Sequence, residues 1–394
     1  MQRASTAQTI MHNFAVATGL SGTSGEPRRY LWTDAFAVCN FIEFYRQTHR
    51  DSYLDIARRL VDEVHFLLGR YSDKDSRSGW ISGLNEQAGY DHPTVGGLRI
   101  GKTLAEREAD EFFDSNLEWH RDGQYFHYLT RWIQALTRMA AVTGDDHYQR
   151  WALELARAAH AAFTYPTEAG KPARMYWKMS IDLSRPLVAS MGHHDPLDAL
   201  VTYMELRANN SRYDSSFSDI TLDREIADCQ AMCAAKNWAT DDPLGTGGLL
   251  VDTFRLAQIM AEFDNAGPLQ LAPLLVDCEA GLAAFVDSGG TNQPAEYRLA
   301  FRELGLATGL HALARLQGLI EHYPNTFSLA AGDRRRLERL EKYSYLSHAI
   351  ESFWLQAAHQ ESATWRDHLD INSVMLATSL APDGYLLVGP VIQA

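Results

Sequence analysis

Apolar and polar positions along the chain recur with the 3.6-residue period of α-helices, and the strict alternation of strands is scarce. About twelve helical segments follow from that period: 4–18, 30–47, 52–69, 122–142, 147–163, 195–208, 221–237, 247–263, 269–287, 295–320, 333–359 and 366–379. Two kinds alternate along the chain. "AFAVCNFIEFY", "YFHYLTRWIQAL" and "GGLLVDTFRLAQIMAEF" are apolar almost all round, which predicts helices covered on more than one side. "YLDIARRLVDEVHFLL", "YQRWALELARAAHAAF" and "RRRLERLEKYSYLSHAIESFWL" carry a charged stripe, as helices with one wet face do.

The links alternate too. Those from an apolar to a striped helix are short ("THRDS", "TGDDH", "DNAG"), whereas those leading back include 71–116 and 164–192, far beyond the usual handful of residues. A faint repeat pairs Thr48 with Thr143, Tyr53 with Tyr148, Ala57 with Ala152 and Leu60 with Leu155, as repeated helical hairpins would. The pattern predicts one domain over 1–394, an (α/α)6 toroid in which segment 4–18 pairs with 366–379 to complete the ring. An open solenoid of helix pairs fits less well, because its last repeat needs a polar cap, and "INSVMLATSLAPDGYLLV" is mostly apolar. In a ring of this kind the apolar helices run the same way, so the long links and the residues before each apolar helix share one mouth.

Composition narrows the partners. The 394 residues are 46% hydrophobic, enough for a large core, and carry a net charge of −14, which disfavours nucleic acid and anionic membranes. Cys39, Cys229, Cys233 and Cys278 show no zinc spacing, and Cys229 and Cys233 read as small buried hydrophobes sharing a helix face. The first twenty residues lack the apolar core and cleavage site of a signal peptide, and no apolar run is long enough to span a bilayer. A cytoplasmic protein without cofactor or metal is the expectation; oligomeric state is left open.

The mouth collects the chemistry. Its entrances are "RRYLWTDAF", "LEWHRDGQYF", "SMGHHDPLDAL", "LGTGGLLVD", "NQPAEYRLAF" and "TWRDHLDINS". Asp34, Asp122 and Asp195 fall at or just inside a predicted first turn, where an N-cap contributes about 1 kcal/mol and explains any one of them alone. Taken together they are not explained so simply, because Ser or Thr caps equally well without flanking aromatics. Trp32 and Trp119 precede Asp34 and Asp122 and are candidate platforms for a flat ligand, with core packing as the alternative. His193 and His194 are mouth-lining donors or acid–base groups rather than metal ligands. Trp177 and Lys178 lie in the link feeding "GHHD". Asp252, inside an apolar helix, needs a partner such as Arg255 or Arg298, or a place facing the axis; Arg298, Arg302 and Glu303 form an ion-pair network or a substrate clamp. His120, Tyr125, Tyr297, Trp365 and Asp370 complete the entrance residues. "GYDHPTVGGLRIGK" at 89–102 lacks the phosphate-loop pattern, and "TGG" at 246–248 permits close backbone approach.

The "RRYLWTDAF" and "LEWHRDGQYFHYL" entrances, with their TG-x-x-x-Y hairpin turn, resemble the six-hairpin glycosidase superfamily, in a poorly characterised bacterial branch. The resemblance covers essentially the whole chain and implies the (α/α)6 barrel, a fold shared by glycosidases, uronyl hydrolases, lyases and sugar epimerases, so it does not decide the reaction. Hydrolysis needs two carboxyls across a sugar, roughly 6.5–9.5 Å apart for inversion or about 5 Å for retention. Asp122 or Glu118 is expected as the acid, and Asp34 or Asp195 as the base. The runner-up is an epimerase with His120, His193 or His194 as acid–base. A terpenoid cyclase is disfavoured because "TDDPLG" does not extend to DDxxD, and a non-catalytic sugar-binding protein would not need paired carboxylates.

Overall fold

The computed structural model describes residues 2–21, 26–210, 220–262, 270–327 and 329–389. They fall into two compact units, Ala15–Ala234 and Met1–Phe14 with Ala235–Ala394. The first helix is α1 (Gln2–Ala17).

The unit Ala15–Ala234 holds α2 (Leu31–Thr48), α3 (Asp51–Leu68), the short α4 (Glu86–Asp91) and α5 (Ser115–His120), α6 (Phe126–Thr143), α7 (Asp146–Phe163), α8 (Asp195–Asn210) and α9 (Asp223–Cys233). Every residue of α2 from Leu31 to Phe44 is buried, because α2 packs against both α3 and α6. In turn, α6 packs against α2, α7 and α8. By contrast α3 buries one stripe, Leu54, Ala57, Leu60, Val61 and Val64, at the spacing of a single helix face. The division into apolar and striped helices is therefore one of packing.

The repeat has a physical basis at the hairpin turns. His49 and Gly144 end α2 and α6 in the left-handed region, with φ 54° and 69°. Thr48 and Thr143 each donate a hydroxyl to the carbonyl four residues back and accept the backbone N–H two residues on. Ala57, Leu60, Ala152 and Leu155 are the buried contacts of the returning helices.

The other unit contains α10 (Pro243–Glu262), α11 (Leu271–Asp287), α12 (Ala300–His322), α13 (Ala331–Glu341), α14 (Tyr345–Trp354), α15 (Ala357–Gln360), α16 (Ala363–Arg366) and α17 (Leu369–Leu380). Here α10 and α12 approach backbone to backbone: a Cβ on Gly247 would lie 2.3 Å from the Gly305 carbonyl oxygen, and one on Gly309 2.5 Å from that of Gly247. The close approach expected of "TGG" is thus met from the facing helix.

Three predicted spans are corrected. Segment 122–142 becomes helical only at Phe126, because Gln124–Tyr125 form a strand, β1, antiparallel to β4 (Lys178–Met179). Segment 333–359 breaks at 342–344, where the N–H of Lys342 reaches the Arg339 carbonyl in a tightened turn. One straight helix could not serve both neighbours, since α13 packs on α11 and α14 on α12. Segment 295–320 starts at Ala300, after a separate 3-10 turn at Ala295–Tyr297. The long links are not bare loops: 164–192 carries β2 (Thr164–Tyr165) paired with β3 (Arg174–Met175), and β4 paired with β5 (Pro186–Val188). Among the described residues no helix is long and apolar enough to cross a membrane.

Candidate active site

The entrances of α2 and α6 are joined by the stretch 97–102. The N–H of Leu31 donates to the Ile100 carbonyl at 3.0 Å, and the N–H of Ile100 to the Gly123 carbonyl at 2.8 Å. Gly101 turns with φ 97°, in space where a Cβ would meet the Arg29 carbonyl oxygen at 2.4 Å. Gln124 locks the same stretch from below, accepting the Leu98 N–H and donating to the Gly96 carbonyl.

The carboxylates crowded at 117–122 point inward. Asp122 is 3% exposed; it accepts from Arg99 at 2.9 Å and from the Gly101 N–H at 3.0 Å. Burial raises its pKa, and Arg99 opposes the rise. Glu118, also 3% exposed, accepts from Lys178 at 2.8 Å on one oxygen and from Arg107 at 3.1 Å on the other. Lys178 gives its remaining hydrogen bonds to the carbonyls of Glu118 and Arg121, so the three donors of its ammonium are used. Arg121 pairs with Glu111. Asp34 accepts the Tyr30 N–H at 2.8 Å and lies 3.5 Å from Arg29, tying down the start of α2.

This charged frame presents an aromatic wall. The Trp119 carbonyl accepts from Lys102, leaving the indole 47% exposed and edge-on to Trp177 at 4.8 Å. Tyr125 sits at the centre, 5.4 Å from Trp177, 5.1 Å from Tyr128 and 5.4 Å from His127. Lys102 and Lys178 lie over its ring at 5.5 and 5.4 Å. The wall continues through His127 and Tyr128 to Trp32, at 5.7 and 5.2 Å, and the hydroxyls of Tyr128 and Tyr30 are 2.8 Å apart. Burial lowers the pKa of His127 to about 3, so its ring is neutral at ordinary pH.

The structure thus brings together Trp32, Asp34, Glu118, Trp119, Asp122, Tyr125, Trp177 and Lys178. Asp122 is not a helix cap: it lies ahead of β1 and braces the 97–102 stretch. His120 is exposed at the end of α5. His193 and His194 pack edge to face at 4.7 Å just before α8, whose first residue, Asp195, is 6% exposed with its carboxylate folded over Gly192.

In the other unit, Asp252 pairs with Arg255 at 3.0 Å, the first of the partners expected for it. Arg298 makes a two-bonded pair with Glu303, at 2.7 and 2.6 Å, over the Phe353 ring. Arg302, expected to join them in one network or clamp, pairs instead with Asp242 at 2.7 Å. Trp365 is buried against Trp354, Tyr297 is 79% exposed, and Asp370 is partly exposed in the first turn of α17.

Tyr30, Arg99, Lys102, Arg107 and His127 were missed by the sequence reading, whereas Tyr128 was expected there, with Trp119 and Tyr125, as an aromatic neighbour that desolvates a carboxyl. The signal for Arg99 and Lys102 lay in "GGLRIGK", whose glycines mark a backbone forced close to its neighbours.

No family model matches the sequence, and no curated protein matches it. Solved structures do. The GH76A α-1,6-mannanase of Salegentibacter sp. superposes with a TM-score of 0.53 at 11% identity, over 96% of this chain and 99% of that one. An inactive variant of that enzyme in complex with α-1,6-mannotetrose gives the same TM-score. The GH76 α-mannanase of Bacteroides thetaiotaomicron gives 0.53 at 9% identity, over 97% and 96% of the chains. The chain is all-α and has the (α/α)6 fold of these neighbours. At these identities the likeness is one of fold, and no catalytic residue is carried across from it.

Proposed function

We propose that the chain is a carbohydrate-active enzyme, a glycoside hydrolase that lays an oligosaccharide against the Trp119–Trp177 wall. The observation that carries this reading is the half-exposed Trp119 indole held by a buried charged frame. An exposed Trp has little reason to be braced from three backbone points unless its face is used, and a flat apolar face suits the C–H side of a sugar ring. The fold shared over nearly the whole chain with two mannan-cleaving enzymes supports the same reading.

For the bond-breaking step we assign Asp122 as general acid and Asp195 as base. Burial favours the protonated form of Asp122, as a proton donor requires. Glu118 and Asp34 are positioning residues, the first holding the 118–121 turn and the second the start of α2. In this assignment Asp122 gives its proton to the leaving oxygen, Asp195 takes one from the attacking water, and the water oxygen bonds the anomeric carbon as the glycosidic bond breaks.

The second reading, sugar epimerisation, is favoured by the His193–His194 pair beside Asp195. Its base would remove and return a proton next to a carbonyl. His127 does not suit that role, because a pKa of about 3 makes its ring a weak base.

Incubating the purified protein with α-1,6-mannooligosaccharides and other disaccharides in deuterated water, followed by NMR, tests both readings. New anomeric signals establish hydrolysis and its stereochemistry, whereas deuterium on a ring carbon without cleavage establishes epimerisation. No change with any saccharide overturns both.

A further inference from the structure

Four cations around the 118–122 turn each touch a carboxylate: Arg99 touches Asp122, Lys178 and Arg107 share Glu118, and Arg121 touches Glu111. Lys102 is the exception. Its ammonium donates to a neutral acceptor, the Trp119 carbonyl, and lies over the Tyr125 ring; among the described residues no carboxylate pairs with it. It is partly buried, on the residue that carries the platform. The deeper side of the same wall also offers polar atoms in want of partners. Trp32 is 7% exposed, and neither its indole N–H nor His127 Nδ1 meets a hydrogen-bond partner among the described residues. Buried polar atoms are nearly always satisfied, so two unpartnered ones in the same wall of rings, on the buried Trp32 and the partly buried His127, point to a polar occupant.

Resting on the saccharide reading above, we infer that this wall takes an anionic sugar, one whose ring bears a carboxylate or sulfate, with Lys102 as the group that selects the charge. The acid group meets the Lys102 ammonium at the rim, the ring lies on Trp119, and hydroxyls reach Trp32 and His127. Lysine is suited to this as a compact point charge on a flexible stem. The charges facing Lys102 are Lys178, which opposes its protonation, and Asp122 and Glu118, which favour it; both carboxylates are already held by their own cations. Burial, assisted by Lys178, lowers the Lys102 pKa to about 8, so a bound anion should be held most tightly below that pH and released above it.

The test is binding of glucuronate, glucose 6-sulfate and glucose to the full chain, read by tryptophan fluorescence and calorimetry between pH 6 and pH 9. Lys102→Gln, which keeps a donor for the Trp119 carbonyl but loses the charge, and Lys102→Arg, which keeps both, are compared with the unaltered protein. The expected result is at least about tenfold preference for one or both acidic sugars over glucose, in line with a charge-assisted hydrogen bond. That preference is lost in Lys102→Gln, kept in Lys102→Arg, and fades above pH 8. Which of the two acids binds identifies the charged group. Glucose binding as tightly as either acid, or a preference untouched by Lys102→Gln, overturns the inference while leaving the saccharide wall standing. Binding of none of the three, together with no turnover of any saccharide, takes down both.

Discussion

Lys178 and Glu118 are bound to each other twice, through the Glu118 carboxylate at 2.8 Å and through its carbonyl at 2.8 Å, with both side chains out of solvent. The second bond is what makes the pair more than a salt bridge. A lysine that holds only a carboxylate fixes a side chain; one that also holds the carbonyls of Glu118 and Arg121 fixes the backbone between them, and therefore the direction in which Trp119 leaves the chain. The charges at this entrance serve to aim an aromatic ring.

Lys178→Met should be costly. Removing one partner of a buried pair leaves Glu118 with Arg107 alone and strips two carbonyls of their donor, a loss of about 3–5 kcal/mol. Urea unfolding of the variant should show an unfolding free energy lower by that amount, with Glu118→Gln losing less because the carbonyl contacts survive. A shift under about 1 kcal/mol would mean that the turn is held by other contacts.

The helices were legible in the sequence because burial on one or several sides writes itself into the period of the apolar residues. The hairpin turns were legible because Thr48 and Thr143 do the same job at equal spacing. The break at 342–344 was not, since both halves keep an apolar stripe and the stripes differ only in which neighbour they face. At the site, Trp119, Asp122 and Lys178 stood out by residue type. What composition could not reveal was direction: whether Glu118 and Asp122 look toward a ligand or toward Lys178 and Arg99 depends on partners 60 and 23 residues away. Arg99 and Lys102 were hidden for a different reason, lying in a link with no period to read.

Gly101→Ala tests the brace from its backbone side. A side chain at φ 97° is strained whatever the space, and here its Cβ also meets the Arg29 carbonyl oxygen at 2.4 Å. Together these predict a loss of about 1–3 kcal/mol or more. Because the Gly101 N–H also holds Asp122, turnover should fall with stability. An unaltered unfolding midpoint would show that the 97–102 stretch moves aside freely.

The acid limb of the stability curve should carry the mark of His65. It is 4% exposed, its Nε2 accepts the Trp132 indole N–H at 3.0 Å, and burial lowers its pKa from 6.5 to about 3. A histidine whose folded pKa is depressed binds its proton more readily when unfolded. Its contribution is therefore complete above pH 6.5 and is lost as pH falls towards 3, by an amount on the order of a few kcal/mol. His65→Gln, which keeps an acceptor for Trp132 and cannot charge, should flatten that limb. Equal slopes between pH 6.5 and 3 would remove His65 from the account.

Asp122→Asn should abolish turnover, but the variant also strands Arg99, so lost activity alone would not separate catalysis from folding. The double variant Asp122→Asn with Arg99→Gln replaces the ion pair with a neutral hydrogen-bonding pair. It should recover most of the melting temperature while remaining at least about a hundredfold below the unaltered kcat, the scale of a missing general acid. In the unaltered protein, kcat/KM should decline as pH rises through the raised pKa of Asp122, where the proton to be donated is lost. A double variant that regains both stability and turnover would make Asp122 a brace and no more.

Trp119→Ala separates the wall from the frame behind it. Its indole is 47% exposed, and the backbone contacts that hold it, from Lys102 to its own carbonyl and from Lys178 to those of its neighbours, do not involve the side chain. The variant should therefore unfold within about 1 kcal/mol of the unaltered protein, as surface substitutions do. Removing the face on which a sugar ring stacks should raise KM by about tenfold or more, the scale of one aromatic stacking contact, with kcat changed less. Trp119→Phe, which keeps a smaller face, should fall between the two. A Trp119→Ala protein with ordinary KM for a saccharide it still turns over would show that the ring binds elsewhere, and the wall would revert to packing.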